Sequence, residues 1–213
     1  MSRILPGVLA MATIVVASNI LVQFLILDGL LTWGAFTYPL AFLVTDVMNR
    51  VYGPAAARRV VFSGLVVGII CSLIGSQIMI QGDGFEYPAV AVRIAIGSAT
   101  AFLVAQMLDI VVFHRLREGS WWKAPLGSTL VGSTVDTAIF FSIAFAAVFN
   151  GFSASAADEV MWAQDMAPFL LTGPEMPLWV SLAVADWGVK LGIALLALLP
   201  FRFIVVRLLL RGA

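Results

Sequence analysis

Six ionisable side chains, Asp46, Arg93, Asp109, Asp136, Asp186 and Lys190, sit inside stretches that are otherwise apolar. An unpaired charge near the centre of a bilayer is unfavourable by roughly 2.5–3.5 kcal/mol on insertion scales, so a set of this size must be paired, hydrated or put to use. Residues three or four apart share a helix face. By that spacing Asp186 and Lys190 make an i,i+4 pair with the acid first, and Asp46, Asn49 and Arg50 make a second cluster. Gln106 and Asp109 share a third face, and Asn19 and Gln23 stack on a fourth, where neutral amides offer both donors and acceptors. Carboxylates, an ammonium and amides held inside a membrane suit the hydrogen bonding of a small polar solute, and a desolvated carboxylate is also able to carry a proton.

Each of these groups has a plainer use as well. Asp46 with Arg50, and Asp109 near Arg115, are spaced as ordinary ion pairs reaching a membrane surface. Arg93, at the start of its block, is placed to reach the opposite surface. Asp136 has no cationic neighbour along its own helix, so it finds a partner on another helix or stays protonated. Asp186 and Lys190 either serve a solute or neutralise each other. His114 is the only histidine and Cys71 the only cysteine, and there is neither a Gly-x-x-x-x-Gly-Lys-Ser/Thr phosphate loop nor a Gly-x-Ser-x-Gly elbow. An intrachain disulfide, a His/Cys metal cluster, ATP hydrolysis and common hydrolase chemistry are therefore not expected, nor is any cofactor. An intramembrane enzyme with Asp46 and Asp109 as metal ligands would call for a tight Asp-x-x-x-Asp type cluster, which the sequence lacks.

The elements that must position these residues are apolar helices. Of 213 residues 62% are hydrophobic and 11% charged, with a mean hydropathy of +1.04, outside the range of soluble domains. Net charge is zero and the basic residues are scattered, which argues against nucleic acid as a partner. A bilayer core about 30 Å thick takes roughly 20 helical residues, and six blocks qualify, at about 8–27, 34–50, 60–81, 89–113, 126–149 and 177–200. The first is long enough to be a retained helix, and Pro39 should kink the second. Six spans place Arg3, Arg50, Arg58, Arg59, Arg115, Arg117, Lys123, Arg202, Arg207 and Arg211 on one side, with Asp28, Asp83, Glu86, Asp158, Glu159, Asp165 and Glu175 opposite. Positive charge marks the cytoplasmic side. The expectation is an all-α integral membrane protein, one domain over residues 1–213, with six transmembrane helices and both termini cytoplasmic.

Two further stretches carry structural information. The connection from about Asn150 to Met176 mixes acids with Met161, Trp162, Met166, Phe169 and Leu170, which suits either a helix lying at the outer interface or a solvated loop. Gly64, Gly68, Ser72 and Ser76 form a small-residue stripe at four-residue spacing, a close-packing face used within the subunit or in a homodimer.

Several stretches resemble the queuosine precursor transporters of bacteria, within the vitamin uptake transporter group. Thr32-Trp-Gly-Ala-Phe-Thr-Tyr-Pro-Leu-Ala-Phe-Leu-Val-Thr-Asp46, followed by Arg50, Gly53 and Ala57-Arg-Arg59, is similar to the family's second-span signature. Arg93-Ile-Ala95, Gln106 through Arg117, Trp121-Trp122 before Ala124-Pro125, and Ser128 through Thr137 are similar to it as well, as are Asn19 through Gln23 and Asp186 with Lys190. The resemblance covers nearly the whole chain. It implies import across the inner membrane of 7-cyano-7-deazaguanine or 7-aminomethyl-7-deazaguanine, guanine-like bases salvaged for a modified tRNA nucleoside. The residues named for that substrate are Asn19, Gln23, Asp46, Arg93, Gln106, Asp109, Asp136, Asp186 and Lys190, with Trp187 or Phe140 to stack on the flat base. A different class stays open, a substrate-binding membrane subunit of a larger uptake system that needs a separate ATPase.

Overall fold

The structure is a computed structural model that describes residues 3–81, 86–152 and 158–212. Asp83 and the Arg211 side chain, both used above to orient the chain, lie outside the described residues. The described chain is mostly helical. It opens with α1 (Leu5–Leu21), which has Pro6 in its first turn, where a missing N–H does no harm. The block expected to run to residue 27 stops at Leu21 because the chain turns there into a short hairpin, β1 (Leu25–Ile26) with β2 (Leu31–Thr32). Leu27 and Asp28 take positive φ angles at the tip, so this turn is held in a backbone region that side chains rarely adopt.

The second expected span is two helices, α2 (Gly34–Thr37) and α3 (Leu40–Tyr52). Pro39 lacks an N–H and divides them, while Ala41 and Phe42 bond back three residues to the Tyr38 and Pro39 carbonyls, at 2.9 and 3.1 Å. Gly53, at φ +83°, lets α3 end and α4 (Pro54–Gly75) begin with no intervening loop. A second hairpin, β3 (Met79–Gln81) with β4 (Glu86–Pro88), leads to α5 (Val92–Leu116), and a short connection leads on to α6 (Lys123–Phe145). The last helix, α7 (Leu178–Gly212), has 35 residues with Pro200 inside it. At 1.5 Å per residue it is about 50 Å long, well beyond the hydrocarbon thickness of a bilayer.

By length and composition α4, α5, α6 and α7 are able to cross a membrane, and α1, at 17 residues, is apolar but shorter. Phe62, Val66, Ile70 and Leu73 on α4 and Leu195, Leu196 and Leu199 on α7 are exposed. In water such surfaces would be strongly unfavourable, and in lipid they are the ordinary exterior.

Helices α5 and α6 share the most extensive contact. A Cβ on Gly97 would meet the Phe140 carbonyl oxygen at 3.3 Å, so only a small residue permits this packing. The two glycines of the small-residue stripe pack inside the chain: Gly64 lies against Met11 and Phe102, and Gly68 against Val15, which seats α4 on α1 and α5. The described residues of the connection after α6 fold into short elements. These include 3-10 turns at Ala147–Phe152, Met161–Gln164 and Phe169–Leu171, and a third hairpin of β5 (Met166–Pro168) and β6 (Glu175–Pro177). Val160 and Ala163 are fully buried against Phe141, Phe145 and Leu182, so the segment is a packed cap. All three hairpins close one end of the bundle, and the other end carries both termini.

A cavity ending on a carboxylate–lysine cluster

A cavity of about 400 Å³ runs from the hairpin end into the middle of the bundle. Its mouth is formed by the β1–β2 hairpin, by Gln23 and Ala89, and by Trp162 from the cap. Its walls are mostly apolar and aromatic, with Phe102, Phe140, Phe141 and Phe145 around it. At its deep end stand Tyr38, Asp136, Asp186 and Lys190.

Three elements build that end. Lys190 on α7 donates to Asp136 Oδ2 at 2.7 Å and to Thr137 Oγ1 at 3.0 Å, and it forms an ion pair with Asp186 Oδ2 at 2.5 Å. Thr137 donates to Asp186 Oδ2 at 3.1 Å, and the Tyr38 hydroxyl donates to Asp136 Oδ1 at 2.7 Å. Lys190 also lies 5.4 Å from the centre of the Tyr38 ring, within cation–π range. Asp136 therefore finds its partner across helices, as its isolation in sequence required. Tyr38 stands at the Pro39 junction between α2 and α3, where the backbone stays right-handed helical, and its phenol reaches Asp136 on α6.

Bookkeeping of donors separates the two acids. Both oxygens of Asp136 are occupied, and its side chain is 4% exposed. Asp186 is 16% exposed, and its Oδ1 accepts no hydrogen bond among the described residues. Counted as ions, the two carboxylates and one ammonium carry a net charge of −1. The free acceptor at the deep end of the cavity is therefore on Asp186.

Asn19 and Gln23 line the same cavity nearer its mouth. Asn19 gives its Nδ2 to the Val15 carbonyl of its own helix at 2.9 Å, and Gln23 Nε2 bridges to the Ala89 carbonyl at 3.0 Å. Their amide oxygens take no bond from the described residues.

The remaining expected site residues lie elsewhere. Arg93 is 3% exposed and does not reach a surface. It caps the C-terminal end of α6, donating to the Ile143 carbonyl at 2.7 Å, to the Ala146 carbonyl and to Asn150 Oδ1 at 2.7 Å. Asn150 and Gln164 then pair through their amides, which ties the cap to α6. Asp46, Gln106 and Asp109 form a separate buried group toward the terminal end. Neither acid has the arginine partner its spacing suggested: Arg50 donates instead to the Arg117 carbonyl at 2.6 Å, and Arg115 is exposed. Asp46 accepts from Ser128 at 3.0 Å and from Thr129 at 3.3 Å, and Gln106 accepts from Thr45 at 2.6 Å. Trp187 donates to Thr134 at 3.0 Å, away from the cavity, whereas Phe140 lines it. Tyr38, Thr137 and Trp162 are among the lining or supporting groups that sequence reasoning did not single out. The Tyr-Pro pair at a helix break and Thr137 next to Asp136 were the available signals for two of them.

Among known families, one described as "Putative vitamin uptake transporter" matches residues 32–205. The chain is 32% identical over 207 residues to the "Queuosine precursor transporter" of Escherichia coli K12, covering 93% of this chain and 84% of that one. It is 34% identical over 189 residues to the "Probable queuosine precursor transporter" of Haemophilus influenzae, covering 84% and 70%. A protein of the same description from Bacillus subtilis is 30% identical over 132 residues, covering 55% and 58%. No solved structure matches significantly. The expected resemblance is thus borne out: the chain belongs to the queuosine precursor transporter family, within the vitamin uptake transporter group, and its family is one of transporters and not of enzymes.

Proposed function

We propose that this chain is a carrier of the bacterial inner membrane that imports 7-cyano-7-deazaguanine, 7-aminomethyl-7-deazaguanine or both for queuosine modification of tRNA. It crosses the bilayer six times with both termini in the cytoplasm. α1, the α2–α3 run, α4, α5, α6 and α7 are the six crossings, which puts the hairpins and the cavity mouth outside.

The observation that carries this reading is the cavity itself. Its volume of about 400 Å³ falls within the roughly 300–1,000 Å³ of small-molecule sites. Aromatic walls suit a flat base, and stacking on such side chains is worth about 1–3 kcal/mol per base in nucleic-acid complexes. A guanine-type edge presents N–H donors beside a carbonyl. Asp186 Oδ1 is a free acceptor for the N–H groups, and the amide oxygens of Asn19 and Gln23 are free acceptors at the other end of the cavity. The free carboxylate oxygen of Asp186 at the deep end suits the aminomethyl base, whose amine is protonated near neutral pH and is a donor that the nitrile lacks.

The test is uptake of both labelled bases by proteoliposomes that hold only this protein. Accumulation that excess guanine does not block supports a self-sufficient, selective carrier. Binding without accumulation would assign the chain to a multi-component uptake system, and neither would refute the substrate assignment.

A further inference from the structure

Asp46 on α3 and Asp109 on α5 face consecutive turns of α6 in the half of the bundle that carries the termini, apart from the cavity: Asp46 meets Ser128 and Thr129, and the Asp109 Cβ lies 3.4 Å from where a Cβ on Gly132 would stand. They are 2% and 0% exposed. The donors around them are unequally shared. Asp46 takes the hydroxyls of Ser128 and Thr129, while neither oxygen of Asp109 receives a well-formed hydrogen bond. A buried carboxylate oxygen left without a donor is one of the least favourable arrangements in a protein, and two adjacent carboxylates in low dielectric add repulsion to it.

Among the described residues no ion pair joins a cation to either acid. On α3, Arg50 is bound to the Arg117 carbonyl. On α5 His114 and Arg115 are exposed, as are Arg58 and Arg59 on α4, which packs against both α3 and α5. On α6, Lys123 lies over the Trp122 ring, and on α7 Lys190 is held by Asp136 and Asp186 while Arg202 lies over Trp121. Among the described residues there is no group of three acidic, His or Cys side chains able to hold a metal ion. The void beside Asp46 and Thr129 is about 10 Å³, the space of one water at most. A hydrated ion does not fit. One proton answers both deficits, because it turns an Asp109 oxygen from an unpaired acceptor into a donor toward Asp46 and removes one of the two charges.

We propose that Asp46 and Asp109 form a proton-binding site, with the proton on Asp109 and its O–H donated to the Asp46 carboxylate, and that the terminal half of the bundle packs shut in this proton-loaded state. The site is separate from the substrate cluster and does not depend on which solute the cavity takes. Removing the proton sets two charges against each other across the α3–α5 contact, which favours opening at this end.

Infrared spectra of the purified wild type, D46N and D109N read the site directly, because a carboxylic acid and a carboxylate absorb in different regions. Labelling with 4-¹³C-aspartate marks the bands that belong to aspartate. The expected result near neutral pH is that D109N loses one aspartic-acid carbonyl band and D46N loses one aspartate carboxylate band. Each substitution conserves shape, and either spectrum alone tests the assignment if the other variant does not fold. Loss of a carboxylate band in D109N would overturn the proposal. A wild-type carboxylate band that shifts when sodium is exchanged for choline would overturn it too, in favour of a metal cation.

Discussion

Replacing Lys190 by Met removes the single cation between Asp136 and Asp186 and leaves a hydrophobic side chain of similar length. In the wild type one ammonium satisfies two carboxylates at 2.7 and 2.5 Å and a hydroxyl at 3.0 Å, at a site where Lys190 and Asp136 side chains are each 4% exposed. Breaking a buried pair by deleting one partner destabilises by about 3–5 kcal/mol, because the other charge is left uncompensated. For a chain of this size each kcal/mol moves Tm by about 2–4 °C, so K190M should lower it by on the order of 10 °C. The companion variant D136N/K190M removes one charge of each sign and keeps a polar group facing Tyr38. It should recover about half of the loss or more, a coupling near the upper end of the roughly 0.5–3 kcal/mol seen for residues in one network. Thermal unfolding of the four proteins in one detergent completes the cycle. A K190M loss under about 1 kcal/mol, or additive effects of the two substitutions, would refute the view that charge compensation holds this cluster together.

Other expectations concern the scaffold. Arg93→Met deletes three hydrogen bonds at the end of α6 and should cost about 3 kcal/mol in thermal unfolding, while the folded variant binds substrate within about twofold of the wild type. A larger specific loss of affinity would return Arg93 to the substrate site. Gly132→Ala places a Cβ 2.8 Å from Phe42 Cε1 and 3.4 Å from Asp109 Cβ. Overpacking of this kind destabilises by about 1–3 kcal/mol, and an unchanged Tm would show that α3 and α6 are looser than described.

How far the sequence could be read depended on whether a partner lay on the same helix. The Asp186–Lys190 pair was legible because helical spacing alone joins the two residues; Asn19 and Gln23 do not share a helix face, because α1 ends at Leu21 and Gln23 lies in the turn beyond it. The need of Asp136 for a distant partner was legible, but its identity was not, since Lys190 is 54 positions away and Tyr38 is 98. Spacing misled for Asp46 and Arg50: the same one-turn rule holds along the helix, yet Arg50 finds the free Arg117 carbonyl at the end of α5. Arg93 was read as surface-seeking because nothing in a sequence announces that a neighbouring helix will end beside it. The cap over residues 150–176 was undecided for a related reason. Its apolar residues pack against Phe141, Phe145 and Leu182, which are contacts of tertiary structure and leave no local period.

The claim that the deep end of the cavity is where substrate binds is tested most directly by equilibrium binding of labelled 7-aminomethyl-7-deazaguanine to purified wild type and D186N. The substitution keeps the shape of the side chain and removes the charge of the free acceptor. A hydrogen bond to a charged group contributes about 1.5–3 kcal/mol, so affinity should fall by roughly 10- to 150-fold with the fold intact. Equal affinity in the two proteins would contradict the account and move the substrate elsewhere in the cavity or out of it.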